Sequence, residues 1–130
     1  MPSSTGQIDV AIVGAGIGGS SLAIVLARQG LSVLMLEKSA QHKDVVRGEW
    51  LAPWGVSEAN DLNLTALYMS SGAHRPTRHI SYSEFASAEE SEAQTLHIES
   101  AAQENPLCLG HPKTCNLLND EAVRLGAIFH

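Results

Sequence analysis

Three glycines and one acid carry the clearest chemistry in this sequence. Gly14-Ala15-Gly16-Ile17-Gly18-Gly19 is a GxGxxG loop with Gly14, Gly16 and Gly19 at its glycine positions, and Glu37 follows Gly19 by eighteen residues. Each glycine has a mechanical reason. Gly14 permits a tight turn off a strand. Gly16 has no Cβ, so a pyrophosphate can reach the backbone. Gly19 lets the next helix pack closely on the strand. A helix beginning near Ile17 aims its first N–H groups and positive dipole end at the phosphates. A carboxylate at Glu37 can accept both hydroxyls of an adenosine ribose and repels a 2′-phosphate. Taken alone, the glycines would make only a tight turn. Together with the acid they form the pattern of a dinucleotide site.

The elements that must position these groups flank the loop. Residues 8–13 form a short apolar run broken only by Asp9. Such a run predicts a parallel strand covered on both faces. Residues 20–29 are apolar nearly all round and predict a packed helix, ended by Gly30 in the left-handed C′ position. Residues 32–36 predict a second strand, which closes on Glu37 and Lys38. Strand, helix and strand make a βαβ unit with a right-handed crossover. At the far end, Pro112 suits a first helical turn. Residues 114–125 predict a helix ended by Gly126, and residues 127–129 a further strand.

The expected fold is α/β and Rossmann-like. Its three strands, 8–13, 32–36 and 127–130, should lie parallel in one sheet under helices 18–29 and 113–125. Residues 1–7 read as a polar tail and 8–130 as one FAD/NAD(P)-binding unit. Residues 56–62 and 64–70 predict short helices. Residues 79–85 and 95–98 predict strands by alternation. The stretch 70–105 reads as a loop-and-strand excursion, its Glu89, Glu90 and Glu92 as a solvated surface.

Composition limits the alternatives. The chain has 130 residues, 44% hydrophobic and 17% charged, with a net charge of −6. One domain fits that length. The hydrophobic content argues against wholesale disorder. An acidic chain lacks the broad positive field that attracts nucleic acid. No apolar run is long enough to span a bilayer, and no basic secretory leader precedes the first strand, so a cytoplasmic setting is expected. Cys108 and Cys115 read as reduced, partly buried thiols. The six histidines fall at no metal-binding spacing, and no metal site is expected. Trp50 and Trp54 read as packing residues.

The loop alone does not choose between FAD and NAD. Residues 9–38, DVAIVGAGIGGSSLAIVLARQGLSVLMLEK, resemble the start of FAD-dependent monooxygenases of the aromatic-hydroxylase type. The Gly18-Gly19 pair and Lys38 after the ribose acid are part of that likeness. Residues 47–56, RGEWLAPWGV, followed by Leu62-Asn63-Leu64, are similar to the family's stretch with an arginine, a P-x-G turn and an L-G-L-like helix end. Asn63 stands where glycine is usual. Residues 111–127 resemble the family's R-x-x-L-x-x-x-L helix followed by GA and a strand, with His111 at the arginine position.

The resemblance implies FAD as cofactor and NAD(P)H as electron donor. It implies insertion of one atom of dioxygen into a small organic substrate. It places Gly14, Ala15, Gly16, Ile17, Gly18, Gly19, Glu37, Lys38, Arg47 and His111 at the cofactor, and names no catalytic side chain. Arg47 offers a planar charged fork to phosphate oxygens. The likeness is strong over 8–64 and moderate over 107–130. The family's later flavin-binding motifs are not found, so the chain reads as the front third of such an enzyme. It is expected to be inactive alone and open to self-association at the strand edge of 127–129. A flavin-dependent reductase or dehydrogenase of the same fold, and an inactive dinucleotide-binding fragment, are the alternatives.

Overall fold

The computed structural model describes residues 6–44, 50–98 and 105–130. In chain order its elements are β1 (Val10–Val13), α1 (Ile17–Arg28), β2 (Val33–Leu36), β3 (Trp50–Leu51), α2 (Pro53–Asp61), α3 (Thr65–Ser70), β4 (Arg78–His79), α4 (Ala88–Ala93), β5 (Leu96–His97), β6 (Leu107–Cys108), α5 (His111–Arg124) and β7 (Ile128–Phe129).

The apolar runs at both ends of the chain meet in one sheet of order β1-β2-β7. β1 and β2 are parallel, with Val10 opposite Val33 and Val13 opposite Leu36. β7 is parallel to the other side of β2, with Leu34 opposite Ile128 and Met35 opposite Phe129. The three-stranded parallel sheet expected from the sequence is present, and β2 is its central strand.

The strands are not covered on both faces among the described residues. Burial alternates along them: Ile12, Val33 and Met35 are buried, whereas Val13 is 85% exposed and Leu36 38%. The cause is that α1 and α5 pack against each other on one side of the sheet. Likewise α1 has one buried face rather than apolar contact all round. Ala23 and Ile24 are buried, and Leu22 points outward. Its buried serines are satisfied. The Ser21 hydroxyl hydrogen-bonds the Tyr68 hydroxyl of α3 at 2.9 Å. Gly30 takes φ +83° just past the C-cap, a left-handed conformation that costs glycine least.

The short helices complete the core. Val56 of α2, Leu64, Leu107 and Leu118 are fully buried with Ile24 and Met35. Full burial of each such side chain contributes roughly 1.5–3 kcal/mol. The turn from α2 to α3 places Asn63 at φ +54°. That conformation explains why glycine suits the position and why asparagine, which tolerates it, can stand in. Arg28 of α1 donates to the carbonyls of Leu62 and Asn63 at 3.1 and 3.3 Å, anchoring this turn.

The excursion is more regular than the sequence suggests at one point and less so at another. Residues 79–85 do not form a strand. Only Arg78–His79 enters a ladder, antiparallel to Leu96–His97, because β5 supplies no longer partner. Phe85 is 90% exposed. Within the stretch read as loop, Ala88–Ala93 is a helix with a capping box: the Ser87 hydroxyl accepts from the Glu90 amide, and the Glu90 carboxylate accepts from the Ser87 amide at 2.8 Å. A second small ladder pairs Trp50 with Cys108 and Leu51 with Leu107. Trp54 is 74% exposed, so the packing role expected for it is not found.

Candidate functional site

β1, β2 and α5 all open onto one groove of about 600 Å³. Gly14 and Gly16 of the glycine loop, Glu37 and Lys38 after β2, and His111 of α5 line it. The strand ends explain this convergence. β1 and β2 are parallel and in register, so the loop leaving Val13 and the acid leaving Leu36 emerge side by side. Backbone bonds lock the level: the Gly14 amide donates to the Leu36 carbonyl and the Glu37 amide to the His130 carbonyl, each at 2.7 Å.

The glycines do different work. Gly14 has φ +100°, the turn off β1. A Cβ on Gly16 would meet nothing within 4 Å, and Gly16 lines the groove, so its missing side chain leaves room there for a ligand. A Cβ on Gly19 would lie 1.9 Å from the Gly14 carbonyl oxygen. Gly19 therefore serves the helix-on-strand approach. α1 starts directly after Gly16, with no side-chain cap and no acid in its first turn. Its positive end is thus left for an anion.

The Glu37 carboxylate is already organised. Oε2 accepts the Ala15 amide at 2.8 Å and Oε1 the Ser39 amide at 3.0 Å. These bonds, the Ala15 amide first, hold its pKa below the ordinary carboxylate value, with the nearby His42 adding a smaller pull in the same direction. Each carboxylate oxygen has a second lone pair, so both can still accept a hydroxyl.

Of the residues singled out in the sequence, Gly14, Gly16, Glu37, Lys38 and His111 line the groove. Ala15, Ile17, Gly18 and Gly19 do not line it. Ala15 is fully buried with its amide committed to Glu37, and Gly18 is exposed on the first turn of α1. Arg47 lies outside the described residues. α5 begins at His111 rather than at Thr114, so His111 stands at the first position of a second helix without a side-chain cap. Sequence reasoning missed His42, which also lines the groove with its ring 5.9 Å from that of His111. A polar stretch without spacing or periodicity held no signal for it.

An uncluttered glycine wall, a helix start and an organised acid at the carboxyl ends of parallel strands fit the AMP half of a dinucleotide. Residues 7–130 match the family of the FAD binding domain. The chain belongs to that family. Among curated proteins, the FAD-binding domain is similar to squalene epoxidase erg1 of Aspergillus fumigatus, 48% identical over 56 residues, which is 43% of this chain and 12% of that protein. It is also similar to the squalene monooxygenase of Rattus norvegicus, 38% identical over 72 residues, 55% of this chain and 13% of that protein. The matched segments thus span about one eighth of the length of these relatives.

Solved structures agree on the fold. The FAD-binding domain matches aklavinone-11 hydroxylase, solved with FAD and aklavinone, at a TM-score of 0.71 and 23% identity, covering 95% of this chain and 25% of that one. It matches a geranylgeranyl bacteriochlorophyll reductase-like protein of Thermoplasma acidophilum at a TM-score of 0.65 and 28% identity, covering 93% of this chain and 29% of that one. Among the described residues, no helix is long and apolar enough to cross a membrane.

Proposed function

We propose that this chain is the FAD-holding part of a flavin-dependent monooxygenase that hydroxylates or epoxidises a small organic substrate with NAD(P)H and dioxygen. The observation that carries the reading is the groove itself, lined by an open Gly16 and an organised Glu37. The likeness to squalene epoxidases and to a hydroxylase supports the oxygenating activity. Bound FAD supplies the redox and oxygen chemistry. The side chains here bind and orient. Glu37 takes the ribose hydroxyls. The backbone at Gly14–Gly19 and the start of α1 take the diphosphate, with Lys38, Arg47 and His111 as the cationic or polar contacts. No residue of this chain is assigned a catalytic proton transfer.

In this reading residues 8–130 are one Rossmann-like unit, and 70–105 reach toward the substrate region. A cytoplasmic setting belongs to the same reading. β7 pairs only with β2 among the described residues, and its free edge supports self-association.

A flavin-dependent reductase is the second reading, favoured by the match to the reductase-like protein. Dialysis of the chain against FAD tests the shared part of both: flavin absorbance should be retained by the protein and retained less by a Glu37→Ala variant. In a protein that carries this chain as its FAD-binding part, oxygen uptake that depends on an organic substrate supports the monooxygenase. NAD(P)H consumption without oxygen uptake supports the reductase.

A further inference from the structure

Behind the groove a line of buried polar contacts joins the glycine loop to α5. The Ser20 hydroxyl, fully buried on the first turns of α1, lies 3.0 Å from the Ala15 carbonyl oxygen and 2.5 Å from Asn119 Oδ1. Asn119, buried on α5, reaches the other way: its Nδ2 lies 3.3 Å from His42 Nε2. His42 lines the groove beside Glu37 and His111. A side-chain amide inside a protein is retained where both of its ends find partners. Here one end faces the loop that approaches the phosphates and the other faces a ring on the groove wall.

We propose that Asn119 is the positioning residue of this groove, and that His42, which it orients, is an additional contact to the ribose–diphosphate portion of a bound dinucleotide. The proposal rests on the groove being the FAD site. Its chemistry follows from hydrogen counting. With Asn119 Oδ1 on the Ser20 hydroxyl, its Nδ2–H faces the ring as a donor and the His42 Nε2 that meets it accepts. The ring proton then sits on Nδ1, and Nδ1–H is the donor left for a phosphate or ribose oxygen. A free imidazole in water favours the opposite tautomer, with the proton on Nε2. Asn119 thus sets both the pose and the tautomer of His42, as outer partners set the rings of ligating histidines. Its Oδ1 shares the single Ser20 hydroxyl proton with the Ala15 carbonyl, a three-centre bond at the loop end. Asn119 touches no ligand itself and acts through these two groups.

Two measurements on the 130-residue chain test this. The first needs no cofactor. Nitrogen NMR above neutral pH should show His42 with a proton on Nδ1 and a bare Nε2, and Asn119→Leu should return it toward the Nε2–H form. A parent His42 already in the Nε2–H form would overturn the proposal, whatever FAD does. The second is FAD affinity by flavin fluorescence, with thermal midpoints as the check on folding. His42→Ala should weaken binding about tenfold at an unchanged midpoint, and His42→Gln, which keeps an amide donor, should recover most of that loss. Asn119→Leu should weaken binding in the parent and do so less in the His42→Ala background. Equal losses from Asn119→Leu in both backgrounds, or parental affinity in His42→Ala, would overturn it. Where Asn119→Leu lowers the midpoint, the His42 pair alone decides. A parent chain that binds FAD no better than Gly16→Val would instead mark a failure of the underlying site.

Discussion

The Glu37 carboxylate accepts the Ala15 amide at 2.8 Å, across the gap between the end of the second strand and the glycine loop. The acid that the sequence assigns to a ribose is therefore also a clip between the two walls of the site. Removing it should be felt twice, by the ligand and by the loop.

Glu37→Ala should weaken adenine-dinucleotide binding by roughly 1.5–3 kcal/mol, the worth of hydrogen bonds to a charged acceptor. Hydrogen exchange of the Ala15 amide should speed up in the unliganded variant. Calorimetry and exchange read the two effects separately. Unchanged affinity would remove Glu37 as the ribose partner.

The same clip has a pH signature. The bonds from Ala15 and Ser39 hold the Glu37 pKa below its ordinary value of 4.5. A carboxylate depressed in the folded state stabilises the fold fully above its unfolded value, and loses that contribution as the pH falls through its folded value. Relative to Glu37→Gln, the parent should hold its advantage in melting temperature at neutral pH and lose it in the acid range below 4.5. Because the group is solvent-accessible, the advantage should be small and reduced by salt. An advantage that grew on acidification would contradict the assignment.

Two glycine substitutions should separate ligand from fold. Gly16→Val puts a branched side chain into open groove and should abolish binding while far-UV dichroism is kept. Gly19→Ala drives a Cβ onto the Gly14 carbonyl at 1.9 Å and should cost about 1–3 kcal/mol of stability before any ligand is added. Denaturant melts and FAD titrations of both variants check the contrast.

Much of this was legible because local rules and the tertiary fold agree. Residues 8–13 and 32–36 are apolar, the loop between strand and helix is glycine-rich, and Gly30 ends the helix. β1, α1 and β2 therefore appear where the pattern puts them. Legibility fails where partners decide. Residues 79–85 alternate like a strand, but a strand needs a neighbour, and β5 pairs with two residues only. The helix Ala88–Ala93 had a readable signal in Ser87 and Glu90, which a bias toward Ser and Glu concealed. His42 and Asn119 lie 77 residues apart, and nothing local announces that they meet.

Asn63 carries the one left-handed backbone among the described non-glycine residues, at φ +54°. Asn63→Ala should destabilise the chain by about 1–2 kcal/mol, since a Cβ without the local hydrogen bonding of asparagine resists that conformation. Asn63→Gly should be near neutral. Thermal melts of the two variants give the answer, and equal midpoints would show that the turn carries no such strain.

The groove lined by Gly16 and Glu37 is proposed to hold FAD by its AMP half. Calorimetric titration of the chain with FAD, ADP and NADP⁺ tests it most directly. FAD and ADP should bind at one shared, mutually competitive site. Gly16→Val should lose both, and NADP⁺ should bind more weakly because Glu37 repels its 2′-phosphate. Binding of FAD that ADP does not displace, or that survives Gly16→Val unchanged, would place the cofactor elsewhere.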